Sequence, residues 1–167
     1  MDQSIQENVM STVYTTAFVS SHFHYTEAFD NLVSNICDLS EILTTSPDNF
    51  IFSFAQNRKA QLAAISLFTL ARQYGQCMST GWESIVKCIV MLHDAQLLPK
   101  GVFQYKVLLN ERTYQGQEGG GWFGSIFGMF EDKTMLEKTQ KTIEECNIPA
   151  LIKSTASVPV AALNTLL

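Results

Sequence analysis

The chain has 167 residues, 46 % of them hydrophobic and only 16 % charged, with a formal net charge of -5. That length supports one domain with a core of its own. The acidic balance, with basic residues scattered, argues against nucleic-acid binding and against attachment to anionic lipid by charge alone. No run reaches the roughly 18 apolar residues of a membrane span, and the N-terminus, with Asp2, Glu7 and no apolar stretch, does not read as a signal peptide. Cys37, Cys77, Cys88 and Cys146 lie far apart without a CxxC, the pattern of reduced core cysteines in a cytosolic chain. Few charges and much apolar surface suit a helical slab with neighbours on more than one side, and we expect a piece of a longer chain.

The spacing predicts helices over 4–19, 26–43, 57–75, 82–98, 132–146 and 158–167. In the first, Ile5, Val9, Val13 and Ala17 form one line, with Met10, Tyr14 and Phe18 beside it. Its other side is Ser and Thr, which are poor helix formers, so packing must hold it. Ser20 to Tyr25 is a corner. His22 and His24 stand two apart, a metal-ligand spacing on a strand, but without a third ligand nearby they read as contacts or caps. Thr26 is a suitable N-cap. The next helix points Phe29, Leu32, Val33, Ile36, Leu39 and Leu43 inward, and leaves Asp30, Asp38 and Glu41 as a solvated face.

Ser46-Pro47-Asp48-Asn49 is a turn signal, after which Phe50-Ile51-Phe52 is expected to fold back over helix ends. The centre follows. Ala60, Ala63, Ala64, Leu67, Phe68, Ala71 and Tyr74 share one face, and Leu62, Ile65 and Leu70 a second. A helix apolar on two sides must be packed on two sides, with Arg58, Lys59, Gln61, Arg72 and Gln73 left for water. Gly75 is expected to end it in a left-handed cap. The next helix turns Trp82, Ile85, Val86, Ile89 and Leu92 inward, and Pro99 forbids further winding. The pair forms an antiparallel hairpin, the repeating unit of an α-solenoid.

Residues 100–121 read as an irregular, glycine-rich tether. No Gly-Lys-Ser or Gly-Lys-Thr follows its glycines, so they are not a phosphate loop. In 122–130 a helical winding puts Trp122, Phe123, Ile126, Phe127, Met129 and Phe130 on a wide face, opposite only Gly and Ser, with no charge. This is the composition of amphipathic lipid-packing sensors. Two readings stay open: insertion into lipid, or docking in a groove of the solenoid, with basic support from Arg58, Lys59, Lys100 and Lys106. In 132–146, Met135, Leu136, Thr139, Ile143 and Cys146 face inward, with a Glu137–Lys141 pair outward. Ile148-Pro149 breaks that helix, and a short one lies near 150–153.

One pattern points further. Asn57-x-Lys-Ala-x-x-Ala-Ala-x-x-Leu-Phe-x-Leu-Ala71, then Gly75, Gly81-Trp82-x-x-Ile85-x-x-Cys88, and Ala95-Gln-Leu-Leu-Pro-Lys100 resemble the helical region downstream of the exchange domain in large Golgi Arf guanine-nucleotide exchange factors of the brefeldin-A-resistance type. His24-Tyr25, Glu27 and Phe29-Asp30-Asn31-Leu32 resemble the preceding helix of that family. The resemblance implies an all-α, HEAT- or armadillo-like regulatory domain, peripheral to Golgi membranes or lipid droplets. Its partners would be loosely packed lipid, other domains of the same factor and, indirectly, Arf or Rab small GTPases. The alternative is a protein-interaction module with the aromatic segment in a groove. In that family the exchange chemistry uses an acidic finger in a separate domain, which has no match here. The chain therefore reads as non-enzymatic, without cofactor or metal. No nucleophile elbow, HExxH, EF-hand loop or dinucleotide fingerprint occurs.

Overall fold

A computed structural model describes residues 3–98 and 130–155, which form an all-α, solenoid-like array. The elements in chain order are α1 (Gln3–His22), α2 (Thr26–Ser40), α3 (Pro47–Gln56), α4 (Arg58–Tyr74), a 3-10 turn (Gly75–Cys77), α5 (Gly81–Asp94), α6 (Phe130–Glu145) and α7 (Ile148–Thr155). The predicted tether 100–121, the C-terminal helix 158–167 and most of the aromatic run 122–130 lie outside the described residues.

The two apolar faces of α4 decide the arrangement. Ala60, Ala64, Leu67, Phe68 and Leu70 are fully buried, and α4 touches each of the other helices. Small side chains on one side let a neighbour approach closely while Leu and Phe fill the remaining space. The neighbour that α4 meets most extensively is α2, and α5 packs more on α2 than on α4. So α2 lies at the heart of the central pair, between the two helices that the chain places consecutively. α6 leans on α3, where the Thr139 hydroxyl donates to the Ile51 carbonyl at 3.3 Å, and α7 leans on α4.

The helix ends differ from the glycine-based expectation. Gly75 is right-handed (φ -55°, ψ -28°) and opens the 3-10 turn. What requires glycine there is space: a Cβ would stand 2.7 Å from Cζ2 of Trp82, whose Nε1 donates to the Gly75 carbonyl at 3.0 Å. The left-handed stops are instead His24, Glu41, Gln96 and Asn147, with φ of 56°, 58°, 55° and 51°. They close α1, α2, α5 and α6. Two are full Schellman closures: Tyr25 N donates to Ser20 O at 2.8 Å and His24 N to Ser21 O at 3.3 Å, while Leu97 N donates to Leu92 O at 2.9 Å and Gln96 N to His93 O at 2.8 Å. Consequently α2 stops at Ser40 instead of Leu43, and α5 at Asp94 instead of Leu98. Thr26 is the first helical residue of α2, and the N-cap is Tyr25.

Phe50-Ile51-Phe52 does not fold back as a loop; it is the body of α3, which Pro47 opens at a position where a missing N–H costs nothing. Phe50 and Phe54 are buried and stacked with centroids 4.9 Å apart, and Phe52 is exposed. Gln61, expected in water, is 1 % exposed. Its Nε2 donates to the carbonyls of Phe54 and Ala55 at 2.8 and 2.9 Å, tying the end of α3 to the first turns of α4. Asn57 caps α4 through the Ala60 amide at 3.1 Å, and its Nδ2 donates to Glu41 Oε1 at 2.8 Å. Gln61→Ala is expected to cost about 2 kcal/mol, because buried carbonyls lose their donor. A urea midpoint unchanged by the substitution would show that those carbonyls find other partners.

Several side chains expected inside are outside. Val9, Phe18, Leu39 and Leu43 are all exposed by 40 % or more. The predicted Glu137–Lys141 pair is not formed; the i,i+4 ion pair among the described residues is Lys87–Glu83, at 2.6 Å on an exposed face, and such a pair adds little.

Candidate functional site

The sequence placed the site on Trp122, Phe123, Ile126, Phe127, Met129 and Phe130, with Arg58, Lys59, Lys100 and Lys106 in support. Of these, the described residues include Arg58, Lys59 and the backbone of Phe130, which opens α6. Arg58 Nη1 donates to Gln61 Oε1 at 3.4 Å, so it is engaged in the α3–α4 joint. Lys59 is exposed at the rim of a groove. Trp122, Phe123, Ile126, Phe127, Met129, Lys100 and Lys106 lie outside the described residues. Three other features stand out among the described residues.

The first is the groove itself. Val9, Met10 and Val13 of α1, Ile36 and Leu39 of α2, and Leu62 and Ala63 of α4 line it, with Lys59 and Ser66 as its polar members. Ser66 spends its hydroxyl on the Leu62 carbonyl at 2.7 Å, which leaves the walls apolar. Its volume is about 60 Å³, far below the roughly 300–1,000 Å³ of small-molecule sites. It has room for one aliphatic side chain with a carboxylate near Lys59, and none for a nucleotide.

The second is an aromatic corner between α1 and α2. Phe18 stacks on His22 (centroids 6.0 Å), His22 meets Phe23 edge-on (5.0 Å), and Phe23 stacks on Tyr25 (5.9 Å). Phe18, Phe23 and Tyr25 are each close to 60 % exposed. The left-handed His24 makes this possible, because it reverses the chain while keeping rings on one outer side. His22 is therefore a member of an aromatic ladder. Among the described residues there is no group of three His, Cys, Asp or Glu side chains placed to hold a metal ion.

The third is a buried carboxylate that the sequence assigned to a solvated face. Asp30 is 9 % exposed. Its Oδ1 accepts from the amides of Ser79 and Gly81 at 3.0 Å, and its Oδ2 from the amide and hydroxyl of Thr80 at 3.0 and 2.9 Å. A charge from α2 thus caps the positive end of α5 across a separation of about fifty residues in sequence. A Cβ on Gly81 would stand 2.8 Å from Oδ1, so glycine there admits the carboxylate. Nothing in the local sequence flags this, since its partners are backbone groups remote in the chain. Beside this joint the thiols of Cys37 and Cys88 share a hydrogen bond at 3.3 Å; it holds Cys37 below the ordinary thiol range and, with burial, pushes Cys88 well above it. Burial pushes Cys146 up to about 12. These groups lie within the helix packing, whereas the rings of the aromatic corner face outward.

Comparison with known proteins agrees with the pattern in 57–100. The chain is 29 % identical over 120 residues to the ARF guanine-nucleotide exchange factor GNOM of Arabidopsis thaliana, a match covering 71 % of this chain and 8 % of that protein. It is 26 % identical over 167 residues to the ARF guanine-nucleotide exchange factor GNL2 of the same plant, covering 83 % of this chain and 12 % of the relative. It is 23 % identical over 142 residues to the Golgi-specific brefeldin A-resistance guanine nucleotide exchange factor 1 homolog of Caenorhabditis elegans, covering 68 % and 7 % respectively. No family profile and no solved structure matches. The chain is therefore similar to a stretch of large Golgi Arf exchange factors, and it spans roughly a tenth of their length.

Proposed function

We propose, from that relationship, that the chain is a non-catalytic regulatory and membrane-targeting part of an Arf guanine-nucleotide exchange factor. It helps to bring the factor to Golgi or lipid-droplet surfaces, where the parent would meet Arf. The observation that carries this reading is the similarity to Arf exchange factors over most of the chain, one of them Golgi-specific by name. The sequence of 122–130 supports the membrane part: six bulky apolar side chains against Gly and Ser, without charge. Such a run binds by burying rings and is suited to neutral, loosely packed lipid. At ~1.5–3 kcal/mol per buried side chain the gain for six lies between about 9 and 18 kcal/mol before ordering costs. No described helix is long and apolar enough to cross a membrane, so contact would be peripheral. The packed helices α1 to α5 act as the rigid support.

Flotation with neutral liposomes rich in packing defects tests this. Trp122→Asp with Phe127→Asp is expected to abolish binding while leaving the helical circular dichroism unchanged. Binding that survives both substitutions refutes lipid insertion through this segment. A second reading, a protein-interaction module, is favoured by the apolar groove with Lys59 at its rim. Under it, Leu39→Glu would weaken docking of other regions of the exchange factor and spare flotation.

A further inference from the structure

Helices α2 and α5 lie side by side in one register. Asp30 meets Gly81 and Cys37 meets Cys88, and both pairs are separated by 51 residues. Two contacts with one offset mean that the helices run parallel, with the contacts about 10 Å apart along the axes. That step is two helical turns, so Asp30 and Cys37 share one face of α2, and Gly81 and Cys88 one face of α5. At the first contact a carboxylate fastens the two helices. At the second, two buried sulfurs face each other at 3.3 Å. The other cysteines are placed differently. Cys146 Sγ donates to the Thr142 carbonyl of its own helix at 3.4 Å, and Cys77 stands in the 3-10 turn.

We propose that Cys37 and Cys88 form a reversible disulfide when the chain meets a hydroperoxide, and that this bond locks α2 to α5. A disulfide needs its sulfurs at about 2.0 Å, against the 3.3 Å between these thiols. Side-chain rotation closes that gap, since the register already sets the sulfurs face to face and no helix has to change partner. The hydrogen bond from Cys88 holds Cys37 below the ordinary thiol range, so Cys37 is the sulfur that attacks. Its thiolate bonds to one peroxide oxygen and the O–O bond breaks. The leaving hydroxide takes up the proton that Cys37 had released and becomes water. Cys37 is then a sulfenic acid. The Cys88 sulfur attacks it, the S–O bond breaks, and hydroxide leaves with the Cys88 proton as a second water. Two thiols and one peroxide give one disulfide and two waters, with two electrons passed from sulfur to oxygen. Cys37 is 3 % and Cys88 0 % exposed, so the small oxidant enters through local opening of the joint. The inference is independent of the lipid contact proposed for 122–130.

Peptide mapping of the full chain tests it. After treatment with hydrogen peroxide and alkylation of the remaining thiols, mass spectrometry is expected to find the Cys37 and Cys88 peptides linked. Free thiols titrated in the denatured product should fall from the 4 of the untreated chain by the pair that is consumed. The thermal midpoint should rise by about 10 °C, because a bridge across about fifty residues restricts the unfolded chain. Dithiothreitol should return it to its starting value. Methionine sulfoxide survives dithiothreitol, so it cannot produce a reversible gain. In Cys88→Ala the second thiol is missing, and Cys37 should go on to the sulfinic acid without any gain in midpoint. A reversible gain that persists in this variant overturns the proposal. Should the variant fold poorly, the map of the wild-type chain decides alone. Thiols that all remain titratable after treatment, a link to Cys77 or Cys146, or a link that forms only in urea overturns the proposal.

Discussion

Asp30→Ala is expected to lower the unfolding midpoint by about 10 °C, from a loss of about 3–4 kcal/mol in a domain of this size. Four donors converge on this carboxylate, three of them backbone amides at the start of α5. Alanine leaves those amides without their acceptor, in a joint where Asp30 is only 9 % exposed and Gly81 is buried. It also removes the negative charge from the positive end of the helix. Asp30→Asn should fall about halfway. One amide oxygen can still serve Ser79 and Gly81, but its NH2 group then faces the Thr80 amide, donor against donor. Thermal melts followed by circular dichroism decide the matter. If the alanine protein melts within a degree or so of the parent, the carboxylate is not the fastening of α5 to α2.

Trp82→Ala is expected to be costlier still, about 3–5 kcal/mol, because a large buried side chain leaves a cavity that its neighbours fill only in part. Trp82 is 7 % exposed, lies against Gly75 and donates to its carbonyl. Trp82→Phe keeps most of the volume and loses the hydrogen bond, for about 1–2 kcal/mol. Gly75→Ala should resemble the phenylalanine variant or exceed it, since its Cβ would displace the indole ring. Placed in a Trp122→Phe background, Trp82 becomes the sole tryptophan, and its selectively excited emission should be blue-shifted in the folded chain and move to the red on unfolding. Emission already typical of solvated indole in the native protein would contradict the burial described. Losses of this size are a large fraction of the stability of any single domain, so both variants also test whether the scaffold under the exposed surfaces depends on this joint.

The same joint bears on function. Asp30 and Trp82 fix α5 against α2 and the 3-10 turn, and Asp30 sits in the first turns of α2, at the same end as the aromatic corner that closes at Tyr25. Contact surfaces offered to lipid or to another chain keep their shape only if the helices beneath them do not shift. The buried carboxylate and indole therefore act on the proposed function through stiffness. Their loss should reduce flotation in proportion to the unfolded fraction.

Periodicity alone determined that this chain is helical, that α4 is apolar on two sides, and that Ala60, Ala64, Leu67 and Leu70 are interior. Those facts follow from spacing along one helix, which local sequence records directly. The residues of 57–100 also carried the likeness to Arf exchange factors. Tertiary structure decided the rest, because the forces concerned act between groups distant in sequence. Asp30 became a buried cap only when α5 arrived beside it, and Gln61 became interior only when the end of α3 offered its carbonyls. The stops at Glu41 and Gln96, and the left-handed turn at Asn147 where a break was expected, went unread for a related reason. A left-handed non-glycine residue is unfavourable in isolation by roughly 1–2 kcal/mol, and here each is followed by a side chain that sinks into the core: Ile42, Leu97 and Ile148, at 0 %, 3 % and 0 % exposure. Burial of the next residue outweighs the local strain, and no window of sequence shows where that residue will land.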